Sequence, residues 1–162
     1  MSEVPLSKGP IRRDPRLHGL SHEHHVGLIV AWRLKQGVKR RATDIQMVQY
    51  ISYHWEAWLH AHLQLEENLL LIHLPAQHAL RIRTLNEHNQ LKEIYFRLQE
   101  DAALELVGSF ADLLYNHIRF EERVLYPFAE KTLNSAQLEV IKNELDGIPE
   151  FCAQWTNLFW QE

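Results

Sequence analysis

The sequence predicts an all-α protein, an up-down-up-down antiparallel four-helix bundle with additional C-terminal helices. Three observations predict it. Apolar residues recur every three or four positions through four long stretches, and the connections between those stretches are short. Gly and Pro number only six each in 162 residues of which 46% are hydrophobic, a composition that folds around a core. The length suits one domain.

Residues 1–20 read as an irregular lead-in, because Pro5, Pro10 and Pro15 are spaced too closely for a helix. The bundle is expected over residues 21–130. Its first helix opens at Ser21 as N-cap, with Glu23 in the first turn, and carries Leu20, His24, Leu28, Ala31 and Leu34 at helical spacing until Gly37. The second opens at Thr43, which forms a capping-box pattern with Gln46, and nothing breaks it before Pro75. A third starts with Pro75 in its first turn and runs to about Asp101, with Leu85, Leu91, Tyr95 and Leu98 as its stripe. A fourth runs from about Ala103 to Tyr126, where Pro127 kinks or ends it. Residues 131–162 are expected to form a helical extension. Asn134 and Ser135 start one helix that stops near Gly147, and Phe151, Cys152, Trp155, Leu158 and Phe159 share a face of a last one.

Composition excludes several partners. The formal net charge is -4, and basic residues are dispersed apart from Lys39, Arg40 and Arg41, so nucleic acid is not expected. No apolar run approaches the roughly 20 residues that span a bilayer, so no membrane segment is expected. The N-terminal residues lack the apolar core of a secretory signal, and the single Cys152 makes no intramolecular disulfide. These features point to the cytoplasm. The aromatic face around Trp155, Phe159 and Trp160 suits packing on the bundle or a homodimer contact, the latter slightly favoured.

Eleven histidines are many for this length, and all fall between His18 and His117. Two stretches, HLQLEENLLL from His62 and HIRFEERVLY from His117, nearly repeat each other 55 residues apart. Residues four apart share a helix face, so His62 points with Glu66 and His117 with Glu121. Leu59 and Leu70 flank the first pair, and Leu114 and Leu125 the second, so these faces are the buried ones. A buried carboxylate costs several kcal/mol without compensation, and two of them beside histidines call for a positive centre. Helix one carries LSHEH, ending at His24 with His25 adjacent, and helix three carries LNEH, ending at His88. The chain therefore reads as two copies of one ligand-bearing hairpin. His24, preferred over His25, joins His62, Glu66, His88, His117 and Glu121 as candidate metal ligands. Four imidazoles and two carboxylates suit iron or manganese, and also zinc. Glu67 and Glu122, rotated about 100° around their helices, are expected to be solvated or to sit behind the ligands. His18, His22, His54, His60, His73 and His78 lack a repeated partner and are expected at surfaces or helix ends, although His18 and His22 could make a secondary metal contact.

With these motifs the chain resembles the hemerythrin-type HHE cation-binding family from about Ser21 to Phe128. That family has a His on helices one and three and His-x-x-x-Glu on helices two and four. The resemblance implies two iron ions bridged by an oxo or hydroxo group, with Glu66 and Glu121 as carboxylate ligands. It also implies binding or sensing of dioxygen, nitric oxide, peroxide or iron itself. Thr84 and Lys92 stand where oxygen-carrying members have a second helix-three His, which argues against reversible oxygen carriage. No Glu is followed three residues later by His, so the ferritin-like Glu-x-x-His pattern is absent. Two other readings are a di-iron peroxidase or oxidase, with Tyr95, Tyr115 or Tyr126 as proton donor, and a structural zinc-binding bundle.

Overall fold

Helix signals in the chain are strong enough that the computed structural model, which describes residues 11–161, contains helices and no strand among those residues. Residues 1–10 of the expected lead-in, Pro5 and Pro10 included, lie outside the described residues. Helix α1 spans His18–Lys39, so it begins before Ser21. The start is set by Asp14, whose carboxylate accepts the Arg16 N–H at 2.9 Å and caps a 3-10 turn over Pro15–Leu17. Ser21 thus lies inside the helix, and its hydroxyl donates to Glu122 at 2.7 Å. Along α1 the buried positions are Leu20, His24, Gly27, Val30, Ala31, Leu34 and Gly37, one face at helical period.

Thr43 caps α2 by accepting the Gln46 N–H at 3.4 Å. Helix α2 (residues 44–73) is continuous but overwound and underwound along its length, with π-helical turns at Trp55–Leu59 and Glu66–Leu70 and a final 3-10 turn at Leu71–His73. Helix α3 is Ala79–Glu100 and leaves Pro75 in the preceding loop; His78 caps it, its ring Nδ1 accepting the Leu80 N–H at 3.2 Å. Helix α4 (residues 104–132) neither ends nor breaks at Pro127. A π turn at Glu121–Leu125 sends the Tyr126 N–H to the Glu121 carbonyl. The next N–H in that pattern would be the one Pro127 lacks, and Arg13 donates instead to the freed Glu122 carbonyl at 2.7 Å. Asn134 and Gln137 form a capping box at the start of α5, Ser135–Asp146.

Among the described residues no second C-terminal helix forms. Residues after α5 are irregular and reach partners on α2: the Tyr53 hydroxyl accepts the Gln154 N–H at 2.8 Å, and the Tyr50 ring meets Phe159 at 5.2 Å and Trp160 at 5.6 Å. Phe159 and Trp160 are buried in the chain's own core, while Trp155 is only partly buried. No helix of the described residues is long and apolar enough to cross a membrane.

The core comes in two apolar clusters. One gathers Val30, Leu34, Tyr50, Leu63, Leu91, Phe110 and Leu114, and the other Leu17, Leu20, Leu70, Leu71, Leu125, Tyr126 and Ile141. On α1, α2 and α4 the sequence passes from one cluster to the other across His24, His62–Glu66 and His117–Glu121. A polar layer therefore lies between two apolar ones.

Candidate metal centre

Each helix brings its share of that layer by local geometry. On α2 and α4 the i,i+4 rule aims His62 with Glu66 and His117 with Glu121, and each Glu is the first residue of a π turn. Such a turn shifts the residues that follow around the helix axis, and π turns recur at functional sites. Helices α1 and α3 contribute His24 and His88. All six side chains are at most 2% exposed. His25, the alternative on α1, is exposed and belongs to neither donor group below, because the apolar face of α1 turns His24 inward.

The six fall into two groups. His24, His62, Glu66 and Glu121 have ligand atoms within 4.8 Å of one another, and so do His88, His117, Glu66 and Glu121. Glu66 and Glu121 belong to both. The His24 Nε2 lies 3.0 Å from Glu121, the His117 Nε2 3.0 Å from Glu121, the His88 Nε2 3.3 Å from Glu66, and the His62 Nε2 3.5 Å from Glu66.

Behind every ligand histidine stands a carboxylate on another helix. The His24 Nδ1–H donates to Glu122 at 2.7 Å, His62 to Glu23 at 2.6 Å, His88 to Glu67 at 2.9 Å and His117 to Glu87 at 2.7 Å. These four bonds run α4 to α1, α1 to α2, α2 to α3 and α3 to α4, closing a ring around the layer. With Nδ1 carrying the proton, each Nε2 lone pair faces inward, the arrangement that orients metal-binding histidines and strengthens them as ligands. Three of the outer carboxylates have cations behind them: Arg13 on Glu122 at 2.9 Å, Lys92 on Glu67 at 3.3 Å and Arg83 on Glu87 at 2.8 Å. Glu23 instead lines a groove of about 600 Å³ shared with Trp58, Leu65 and Phe151.

The electrostatics follow from this crowding. Burial alone would push His62 and His88 down, but the charges and hydrogen bonds of Glu66, Glu23, Glu121 and Glu67 outweigh it and raise them to about 10 and about 11. His24 and His117 are raised for the same reason. Burial opposes ionisation of Glu66 and Glu121, yet the imidazoles hold both below the usual carboxylate range. Tyr126 is pushed well above its ordinary value by burial and by Glu66 and Glu121. Its hydroxyl donates to Glu66 and lies 3.2 Å from the His24 Nε2.

The donor set is one that could hold a metal ion. Glu66 Oε2, both Glu121 oxygens, His88 Nε2 and His117 Nε2 are buried without a hydrogen-bond partner although they lie close together, so their lone pairs converge without aligned donors. A positive ion among them satisfies all five.

Sequence reasoning missed three features. Glu23 reads as a first-turn helix residue and Glu87 as part of a weak Glu-His pair, yet each fixes a ligand on the next helix; the shared Glu-His dipeptide was the available signal. Tyr126 reads as one tyrosine of three, while Tyr95 stacks on Trp55 at 4.4 Å and Tyr115 is exposed. His54, expected at a surface, is buried, because the Trp58 Nε1–H donates to its Nδ1 at 2.9 Å. His18 and His22 stand apart from the cluster, His18 on the Arg13 carbonyl at 3.1 Å and His22 on Glu150 at 2.8 Å. No family model, curated protein or solved structure matches the chain.

Proposed function

We propose that the protein is a hemerythrin-like non-haem di-iron protein that binds or senses a small oxidant such as dioxygen, nitric oxide or peroxide. The observation that carries this reading is the pair of donor groups joined through Glu66 and Glu121. In this reading His24 and His62 would hold one ion and His88 and His117 the other, with Glu66 and Glu121 available to both. Nitrogen and oxygen donors without a thiolate suit iron, with manganese and zinc as competitors. If bound there in its reduced state, iron would supply electrons and an open coordination position to a small oxidant.

The chain's own residues do the rest. Glu23, Glu67, Glu87 and Glu122 keep the Nδ1 protons in place, and the apolar clusters on either side keep bulk water out. The same reading takes the fold as an up-down-up-down antiparallel four-helix bundle. Contact order supports it: Glu23 meets His62 while Arg33 meets Tyr50, Ser52 meets Gln99 while Glu67 meets His88, Arg83 covers Phe120 while Glu87 meets His117, and His24 meets Glu122 while Lys35 meets Asp112. In each pairing, moving forward on one helix moves backward on its partner.

The test is spectroscopic. Anaerobically reduced, iron-loaded protein mixed separately with dioxygen, nitric oxide and peroxide is expected to change its near-ultraviolet or visible absorption in proportion to iron with at least one of them. No change with any of the three contradicts the reading.

A further inference from the structure

The internal repeat fails at one position that touches the cluster. The offset that carries His62 onto His117, Glu66 onto Glu121 and Glu67 onto Glu122 also carries Leu71 onto Tyr126. Each is the residue directly after its π turn, and each is buried to within 1%. One half therefore presents a hydrocarbon where the other presents a phenol. A phenol held beside two buried carboxylates is costly unless its oxygen is used. That oxygen contacts Glu66 and lies 3.2 Å from the His24 Nε2, on the His24–His62 side of the layer. The Tyr126 ring stacks on His24 with centroids 5.1 Å apart and planes 11° apart, which fixes where the oxygen points. The Arg13 guanidinium sits 5.0 Å from the same ring's centroid.

We propose that the Tyr126 oxygen is a fifth protein donor to the ion held by His24, His62, Glu66 and Glu121, leaving the His88–His117 ion with four and with the position that an exogenous ligand takes. The inference rests on the two-ion reading above. Coordination of the oxygen releases the hydroxyl proton to solvent and frees the Glu66 oxygen it had bonded, so one O–H bond is exchanged for one metal–oxygen bond with no change in oxidation state. The two ions are then chemically unequal, although the scaffold around them is nearly repeated.

The experiment loads the full chain with iron(III) and reads iron content, visible absorption and resonance Raman scattering. Wild-type protein is expected to hold two irons, show a visible phenolate-to-iron(III) band and give tyrosinate ring modes on excitation into it. Tyr126→Phe is expected to lose both the band and the modes. Wild-type protein with two irons and no tyrosinate modes overturns the inference and leaves the two-ion reading standing. The same modes surviving in Tyr126→Phe also overturn it. Wild-type protein that holds no iron overturns both. Because the decisive modes are read on wild-type protein, a variant that failed to fold would not shield the proposal.

Discussion

The Nε2 atoms of His24 and His62 stand 3.0 Å apart, each on a ring whose Nδ1 already donates to a carboxylate. Two lone pairs at that distance repel unless a positive charge lies between them. Without metal a proton fills the role; with metal the ion does, and it serves Glu66 and Glu121 as well. Metal removal should therefore destabilise the fold. A ligand present at 100 times its dissociation constant adds about 2.7 kcal/mol, which corresponds to a rise in Tm of roughly 5–10 °C for a domain of this size. Calorimetry of iron-loaded and chelator-treated protein checks this, and equal melting temperatures would refute it.

Metal uptake should tighten as pH rises. With His62 at about 10 and His88 at about 11, the metal-free site is protonated near neutrality, so an entering ion must displace protons. Each proton released per ion gives about a tenfold gain in affinity per pH unit. The sign is opposite for the metal-free fold. A histidine raised on folding contributes stability that is complete below its unfolded value of about 6.5 and is lost as pH climbs through its folded value. Metal-free protein should therefore lose stability from pH 6.5 upward while metal-loaded protein does not. Parallel pH–Tm curves for the two forms would contradict this.

His54 provides a separate acid limb. Burial, with the nearby Arg33 charge, lowers it to about 4. A histidine lowered on folding stabilises above its unfolded value and loses that contribution as pH falls toward the folded one. Denaturant titrations of metal-free protein between pH 6.5 and 4 should show falling stability, with a shallower fall in His54→Phe. Identical slopes in the two proteins would remove this role.

Removing an outer carboxylate should weaken binding without changing the number of ions. Glu67→Gln and Glu122→Gln leave every inner donor in place but loosen the ring orientation of His88 and His24. Losses of about 10–100-fold in metal affinity are expected from such changes. Competition against a chelator of known affinity measures them. Unchanged affinity in both variants would show that the ring of carboxylates does not support the ligands.

Arg13 holds more than its own segment. It reaches the Glu122 carboxylate, the Glu122 carbonyl and Glu130, and its side chain is 5% exposed. Arg13→Met leaves buried carboxylate charge and the proline-freed carbonyl without this donor, which should cost about 3 kcal/mol or more. Urea denaturation measures it, and a loss under about 1 kcal/mol would mean that water replaces the guanidinium.

The ligand pairs on α2 and α4 were legible because i,i+4 spacing is a property of one helix, and the repeat flagged it twice. The choice of His24 over His25 was legible from the match to His88. What stayed hidden depends on how helices are rotated against one another. Nothing local in the sequence tells Glu23 to bond His62 rather than water, or brings Tyr126 rather than Tyr95 to Glu66. The π turns at Glu66 and Glu121 were hidden too, since they form where tertiary packing makes a shifted register favourable. Asp14 and Pro15 did announce the true start of α1, but Pro5 and Pro10 upstream masked the signal. The tail is another such case: its apolar spacing fits a helix, yet Tyr50 and Tyr53 give its residues partners on α2 in an irregular chain.

The central claim, two cations held side by side by shared carboxylates, is tested most directly by elemental analysis after anaerobic iron(II) loading and desalting, with wild-type protein and Glu66→Ala compared. The account predicts two irons per wild-type chain and a loss of at least one in Glu66→Ala with helical content preserved. A wild-type chain that retains one iron or none would contradict it.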